Sequence, residues 1–228
     1  MNKILLTGFE PFGGEMVNPS WLVASALDGE VLGGAQVVAV QLPCVFAAAL
    51  PALQAALASH QPNWVLSLGL AGSRSVISVE RVAVNLVDAR IPDNAGAQPV
   101  DRPVVAGGPA AYFTGLPAKA IVADLQQAGY RAELSHTAGS YVCNQVFYGL
   151  MHAVSLGVVA GDVAGGQSGV GHGVKGGFIH LPPMPEQADS HPQSRAMALD
   201  EQVAALRRAV ELVVADTPEL RIAGGRID

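Results

Sequence analysis

The run KILLTGFEPFGGEMVNPSWLVASAL, residues 3–27, decides how the chain is read. Residues 3–7, centred on Ile4, Leu5 and Leu6, read as a buried strand. The following GFEPFGG, 8–14, is a loop punctuated by glycine and proline. Asn18 stands where a helix N-cap belongs. Pro19 takes the first helical position, where its fixed φ suits the helix and its missing N–H leaves no bond unmade. The helix runs to about Leu27, and the whole is a β-loop-α unit.

The alternation continues outward. Residues 35–41 read as a second strand, 45–60 as a helix kinked or interrupted at Pro51, and 63–70 as a third strand ending in Ala71-Gly72-Ser73-Arg74. Strands alternating with helices imply an α/β fold with a mostly parallel sheet covered on both faces. From 75 to 89 the period changes to two, placing Val82, Val84 and Leu86 on one face together with Glu80. A carboxylate on an apolar face needs a hydrogen-bonding or charged partner. Residues 90–108 carry three prolines and no period, and read as a long loop. A helix over 116–128 stops at Gly129, and 132–135 is a short strand. Residues 177–181, GFIHL, form a strand with His180 at its C-terminal end, and the final helix spans 197–215.

The segment at about 157–177 is glycine-rich and reads as a loop. Gly171, Gly173 and Gly176 spell G-x-G-x-x-G, but they precede a strand where dinucleotide binding requires them to follow one. One domain over residues 1–228 is expected.

Half of the 228 residues are apolar, 14% are charged, and the net charge is −6. Without a lysine or arginine run, neither nucleic acid nor an anionic membrane is the expected partner. So little charge on the surface points to a homo-oligomer. The N-terminal aliphatic run is too short for a signal-peptide core, and the apolar run at 45–58 is broken by Pro51 and Gln54. Cys44 and Cys143, without CxxC spacing, suggest neither a disulfide framework nor a metal site. A reduced, cytoplasmic chain is expected.

Chemistry concentrates in SHTAGSYVCNQVFY, 135–148. Ser140 reads as an N-cap, placing Cys143 at about the third helical position on a stripe with Val146, Phe147, Leu150, Met151 and Val154. At a helix start, free N–H groups and the helix dipole favour thiolate over thiol. Cys143, His180 and Glu80 are then the components of a Cys-His-carboxylate arrangement. Composition leaves bland readings open: Cys143 as a small buried hydrophobe, His180 as a structural histidine, Glu80 as half of an ion pair with Arg74 or Arg90. Cys44 reads as packing or pocket wall.

Four motifs in order, GFEPFGG with Asn18-Pro19-Ser20, ERVAVN with DARIPDN, TAGSYVCN with FYGLMH, and GGFIHLP with PEQ, resemble the pyroglutamyl-peptidase I (pyrrolidone-carboxylate peptidase) family over most of the chain. The resemblance implies a single-domain α/β/α sandwich around a mixed sheet, commonly a tetramer, with no metal or organic cofactor. It implies a cytoplasmic cysteine peptidase that removes N-terminal pyroglutamyl residues from peptides. By motif position Cys143 is the nucleophile, His180 the base and Glu80 the third member. Arg90 matches an arginine near the oxyanion, Phe9 and Phe12 match pocket aromatics, Asn18 supports the site and Val142 adjoins the nucleophile. Two departures stand out. Leu70 replaces a glutamine of the family's G-Q-A-G-G-R, and the chain between Cys143 and His180 is longer than usual. Leu70 motivates a second reading, a related thiol amidohydrolase with a shifted acyl preference. A non-catalytic small-molecule binding protein on the same fold is a third.

Overall fold

The computed structural model describes residues 1–157 and 173–225. Most of the glycine-rich segment, Gly171 and the extra length expected before His180 lie outside the described residues.

A seven-stranded sheet is ordered β2 (Val31–Leu32), β3 (Ala35–Leu42), β1 (Asn2–Phe9), β4 (Trp64–Leu70), β9 (Lys175–Leu181), β5 (Ile77–Glu80) and β8 (Ala132–Ser135). Neighbours pair in parallel except β2 with β3 and β5 with β9. Period-two burial sorts the strands' two faces. Ile4, Leu6, Leu66, Leu68 and Ile179 pack under α1 (Pro19–Leu27), α3 (Ala118–Gln127) and α5 (Leu199–Val214). Leu5, Phe9, Val65 and Phe178 pack under α2 (Phe46–His60) and α4 (Val142–Ser155). The expected α/β/α sandwich around a mostly parallel, mixed sheet is the fold found. Among the described residues no helix is long and apolar enough to cross a membrane.

The opening unit forms as its residues dictate. Asn18 Oδ1 accepts from Ser20 N at 3.1 Å and Ser20 Oγ at 2.8 Å, and its Nδ2 donates to Glu10 O at 3.0 Å. The Ser20 hydroxyl accepts in turn from Phe9 N at 2.9 Å. One cap thus ties the helix start, the strand end and the loop between them. Gly8 permits the close approach, since a Cβ there would lie 2.4 Å from Ser20 O.

Three expectations are corrected. The helix α2 runs through Pro51 without interruption. Both Pro51 and Ala47, whose carbonyl loses its intrahelical donor, are exposed, so water can satisfy it. Glu80 does not share a face with Val82, Val84 and Leu86. The chain leaves the sheet after Glu80, and β6 (Val82–Val84) pairs instead with β7 (Ala111–Phe113) in a separate two-stranded ribbon. The main sheet therefore buries Glu80, while Leu86 is exposed. Finally, Tyr141, not Ser140, is the N-cap of α4, and it makes no side-chain cap bond. The Ser140 hydroxyl is taken by Asp88 O at 2.7 Å, and Asp88 N donates back to Ser140 O at 3.0 Å.

Long-range caps replace local ones elsewhere. The N-cap Val45 of α2 has no capping side chain, and Phe46 N donates at 2.8 Å to Asp93 Oδ2 from the long loop. Burial would raise the Asp93 carboxyl, but backbone N–H groups of Phe46, Ala97, Ala95 and Gly96 hold it below its ordinary value.

Candidate active site

The sheet's α2–α4 face carries His180 and Glu80. In the antiparallel pair of β5 and β9, Ser78 lies opposite His180, so Glu80 is its diagonal neighbour on the same face. Their contact is 2.7 Å from His180 Nδ1 to Glu80 Oε1, with the carboxylate fully buried and the histidine 4% exposed. A carboxylate only accepts, so Nδ1 carries the hydrogen and Nε2 of neutral His180 is left as an acceptor. Arg74 Nη1 donates to the same Oε1 at 2.6 Å, and its Nη2 donates to Thr137 O at 2.7 Å. Burial alone would raise the Glu80 carboxyl. The hydrogen bond from His180 and electrostatic attraction to His180 and Arg74 outweigh it and hold Glu80 below its ordinary range.

Cys143 is the second residue of α4 and is buried. Asn144 pins this helix start. Its Oδ1 accepts from Val84 N at 3.0 Å, and its Nδ2 donates to Val84 O and Leu86 O, each at 2.9 Å. Gly69 makes room for the thiol, because a Cβ there would lie 2.9 Å from Cys143 Sγ. Gly69 pairs in register with His180, so the thiol sits one strand across from the imidazole. The helix start does not by itself yield a thiolate: burial pushes the Cys143 thiol well up, Cys44 and Glu80 push the same way, and Arg74 opposes them. Ionisation here requires a group that takes the proton.

Val142 and Phe9, both buried, belong to the same apolar cluster as Cys143. Tyr141 packs on Phe12 at 6.0 Å between ring centres and on Phe46 at 5.1 Å, and its hydroxyl donates to Pro92 O at 3.0 Å. Phe12, Leu70 and Arg90 meet at a groove of about 420 Å³ that is also lined by Ile91 and His191. Arg90 is exposed on its rim, apart from the Arg74–Glu80–His180 series. Asn18 reaches none of these groups directly; its amide holds Glu10 O in the loop that carries Phe12.

Sequence reasoning left Arg74 and Arg90 as equal candidates for Glu80, and the structure chooses Arg74. It passed over Tyr141 and Asn144. An asparagine in the first turn of a helix, where a polar side chain competes with the backbone, was the available signal for the second.

Cys44 is 3% exposed, and burial pushes its thiol up to about 12, with the Tyr141 hydroxyl opposing and the charges of Glu10 and Asp93 adding to the rise. A thiol whose folded pKa exceeds the unfolded value of about 8.5 contributes stability that is complete below that value. It is lost as pH rises towards the folded pKa. Urea unfolding at pH 8 to 11 is expected to show this loss, and Cys44→Ala to flatten the slope by about 1.4 kcal/mol per pH unit.

A thiol at a helix start, an imidazole at a strand end and a buried carboxylate on one covered sheet face are the equipment of a cysteine-type hydrolase. Comparison with known proteins narrows the class. Residues 2–216 match the family model described as pyroglutamyl peptidase. The pyrrolidone-carboxylate peptidase of Cupriavidus pinatubonensis is 50% identical over 227 residues, covering 100% of both chains. That of Erwinia tasmaniensis is 47% identical over 225 residues, covering 99% of both. The crystal structure of Bacillus amyloliquefaciens pyroglutamyl peptidase I superposes with a TM-score of 0.86 at 43% identity, covering 96% of this chain and 100% of that one. This chain belongs to the pyroglutamyl peptidase family.

Proposed function

We propose that the chain hydrolyses the amide bond after an N-terminal pyroglutamyl residue of peptides through a thioester on Cys143. The observation that carries the reading is the buried Glu80–His180 contact, which leaves Nε2 of His180 as the open acceptor on the face where the thiol lies.

The Cys143 proton passes to His180 Nε2, giving thiolate and imidazolium, and Glu80 stabilises the second. The thiolate attacks the pyroglutamyl carbonyl carbon. First-turn N–H groups of α4, free of any side-chain cap, face the oxyanion, with Arg90 at the rim as a further donor. Each such donor is worth about 3 kcal/mol in comparable sites. The tetrahedral centre collapses, the peptide amine leaves with the His180 proton, and a water deprotonated by His180 cleaves the thioester. Pyroglutamate departs and the thiol is restored.

A pyrrolidone ring is small, flat and uncharged, which suits Phe9, Phe12 and Val142, with Leu70 at the groove and Asn18 holding the loop. The chain acts as one peptidase domain, in the cytoplasm, as a homo-oligomer of tetrameric form. Two free cysteines support a reducing compartment, and exposed apolar side chains such as Phe113, 71% accessible, support association. Nucleic acid has no part in the reading.

The test is release of a chromogenic amine from pyroglutamyl, prolyl and glutamyl amides. Turnover of the pyroglutamyl amide alone is expected. Equal turnover of the prolyl amide, or none of the pyroglutamyl one, overturns the assignment.

A further inference from the structure

We propose that Arg74 is a positioning residue of this reaction: through Glu80 and Thr137 it holds Cys143 and His180 in register for the proton transfer between them, and its charge sets where the pH limbs of the reaction fall. The inference rests on the roles just given to Cys143, His180 and Glu80.

Three contacts carry it. The guanidinium and the imidazole converge on one oxygen, Glu80 Oε1, at 2.6 and 2.7 Å. The Arg74 side chain is 21% exposed and Glu80 fully buried, so Arg74 is the solvent-side partner of that carboxylate. The second arm of the guanidinium binds Thr137 O at 2.7 Å, on the loop that feeds the helix of Cys143. The planar fork thus fixes the end of β5 against the approach to α4. Arg74 also belongs to a turn anchored to the histidine's strand, since Arg74 N donates to Ala71 O and Ala71 N to Leu181 O, each at 2.9 Å. One residue therefore touches the supports of all three groups.

Among the described residues, the charged and titratable groups around this centre include Glu80 on β5, His180 on β9, Cys143 and Tyr141 at the start of α4, Cys44 before α2, and His191, which packs on Gly72 of the Arg74 turn and pairs with Glu15. Glu10 and Asp93 lie beyond Cys44. Removing a positive charge from such a centre raises the pKa of every neighbour. Arg74 is the charge that opposes the rise of the Cys143 thiol, so without it the thiol ionises at higher pH. Both limbs of the kcat/KM profile move up together, a signature that simple loosening of the fold does not produce.

The experiment compares wild type, Arg74→Gln and Arg74→Lys in two assays on the full chain. The first is pyroglutamyl amide turnover against pH. The second is the rate of Cys143 alkylation by iodoacetamide against pH, read by peptide mass mapping so that Cys44 is scored separately. For Arg74→Gln, both turnover limbs and the alkylation midpoint are expected to rise by about one pH unit. Its kcat should fall about tenfold to a hundredfold with KM within about twofold. Arg74→Lys restores the charge but not the two-armed geometry. It should return the limbs to their wild-type positions and leave kcat about tenfold low. An Arg74→Gln alkylation profile that coincides with wild type overturns the proposal, as does a lysine variant with displaced limbs or with unchanged kcat. Should Arg74→Gln lack a cooperative urea transition, the lysine variant decides by the same criteria. Absence of pyroglutamyl turnover in wild type would refute the substrate assignment alone, because alkylation still reports the Arg74 effect.

Discussion

Cys143→Ser is expected to lower kcat/KM for a pyroglutamyl amide by about 10⁴-fold or more while shifting the urea midpoint by no more than about 1 kcal/mol in stability. The side chain packs over Gly69, where the slightly smaller serine hydroxyl fits without a clash. The chemistry does not survive the exchange. Burial already opposes ionisation of the thiol, and a hydroxyl, several units less acidic, cannot pass its proton to His180 to any useful extent. Iodoacetamide should inactivate wild type in step with modification of Cys143, and the serine variant should take up label only at Cys44, if anywhere. Residual turnover above about one per cent of wild type would remove Cys143 from the reaction.

Glu80→Gln is expected to be costly twice. The neutral amide can present its NH₂ to Nδ1 of His180, which turns the imidazole into the tautomer whose Nε2 cannot accept a proton. In other triads this kind of exchange costs about 10⁴-fold in kcat. It also leaves Arg74 facing an uncharged group, and breaking a buried pair costs about 3–5 kcal/mol, with the lower end expected because Arg74 is 21% exposed. The pH dependence has a defined sign. The folded Glu80 carboxyl lies below its ordinary value, so its stabilisation is present above the unfolded pKa of about 4.3 and lost as pH falls through the folded value. Urea melts from pH 7 to pH 3 should therefore show wild type converging on the variant in acid. A constant gap across that range would mean that the Glu80 charge is not what stabilises the fold.

Several expectations were legible because their causes are local. Asn18-Pro19 starts α1, Gly129 at φ +90° ends α3, and the Cys143 stripe packs inward. Others failed for a shared reason. Ser140 is a good cap by type, but its hydroxyl is taken by Asp88, fifty-odd residues earlier in the chain. The period-two pattern over 75–89 is real, yet it spans two sheets, and nothing local marks the departure after Glu80.

By itself, the sequence determined the layered α/β fold and the family, and it singled out Cys143, His180 and Glu80 as the candidates for a thioester mechanism, because apolar period, turn chemistry and motif order are written in neighbouring residues. Only the tertiary structure decided that Arg74 and not Arg90 holds Glu80, that Asp93 caps α2, and that burial raises the Cys143 thiol in spite of its place at a helix start. Each of those depends on charges and desolvation assembled from distant segments, and such quantities exist only once the chain has closed around them.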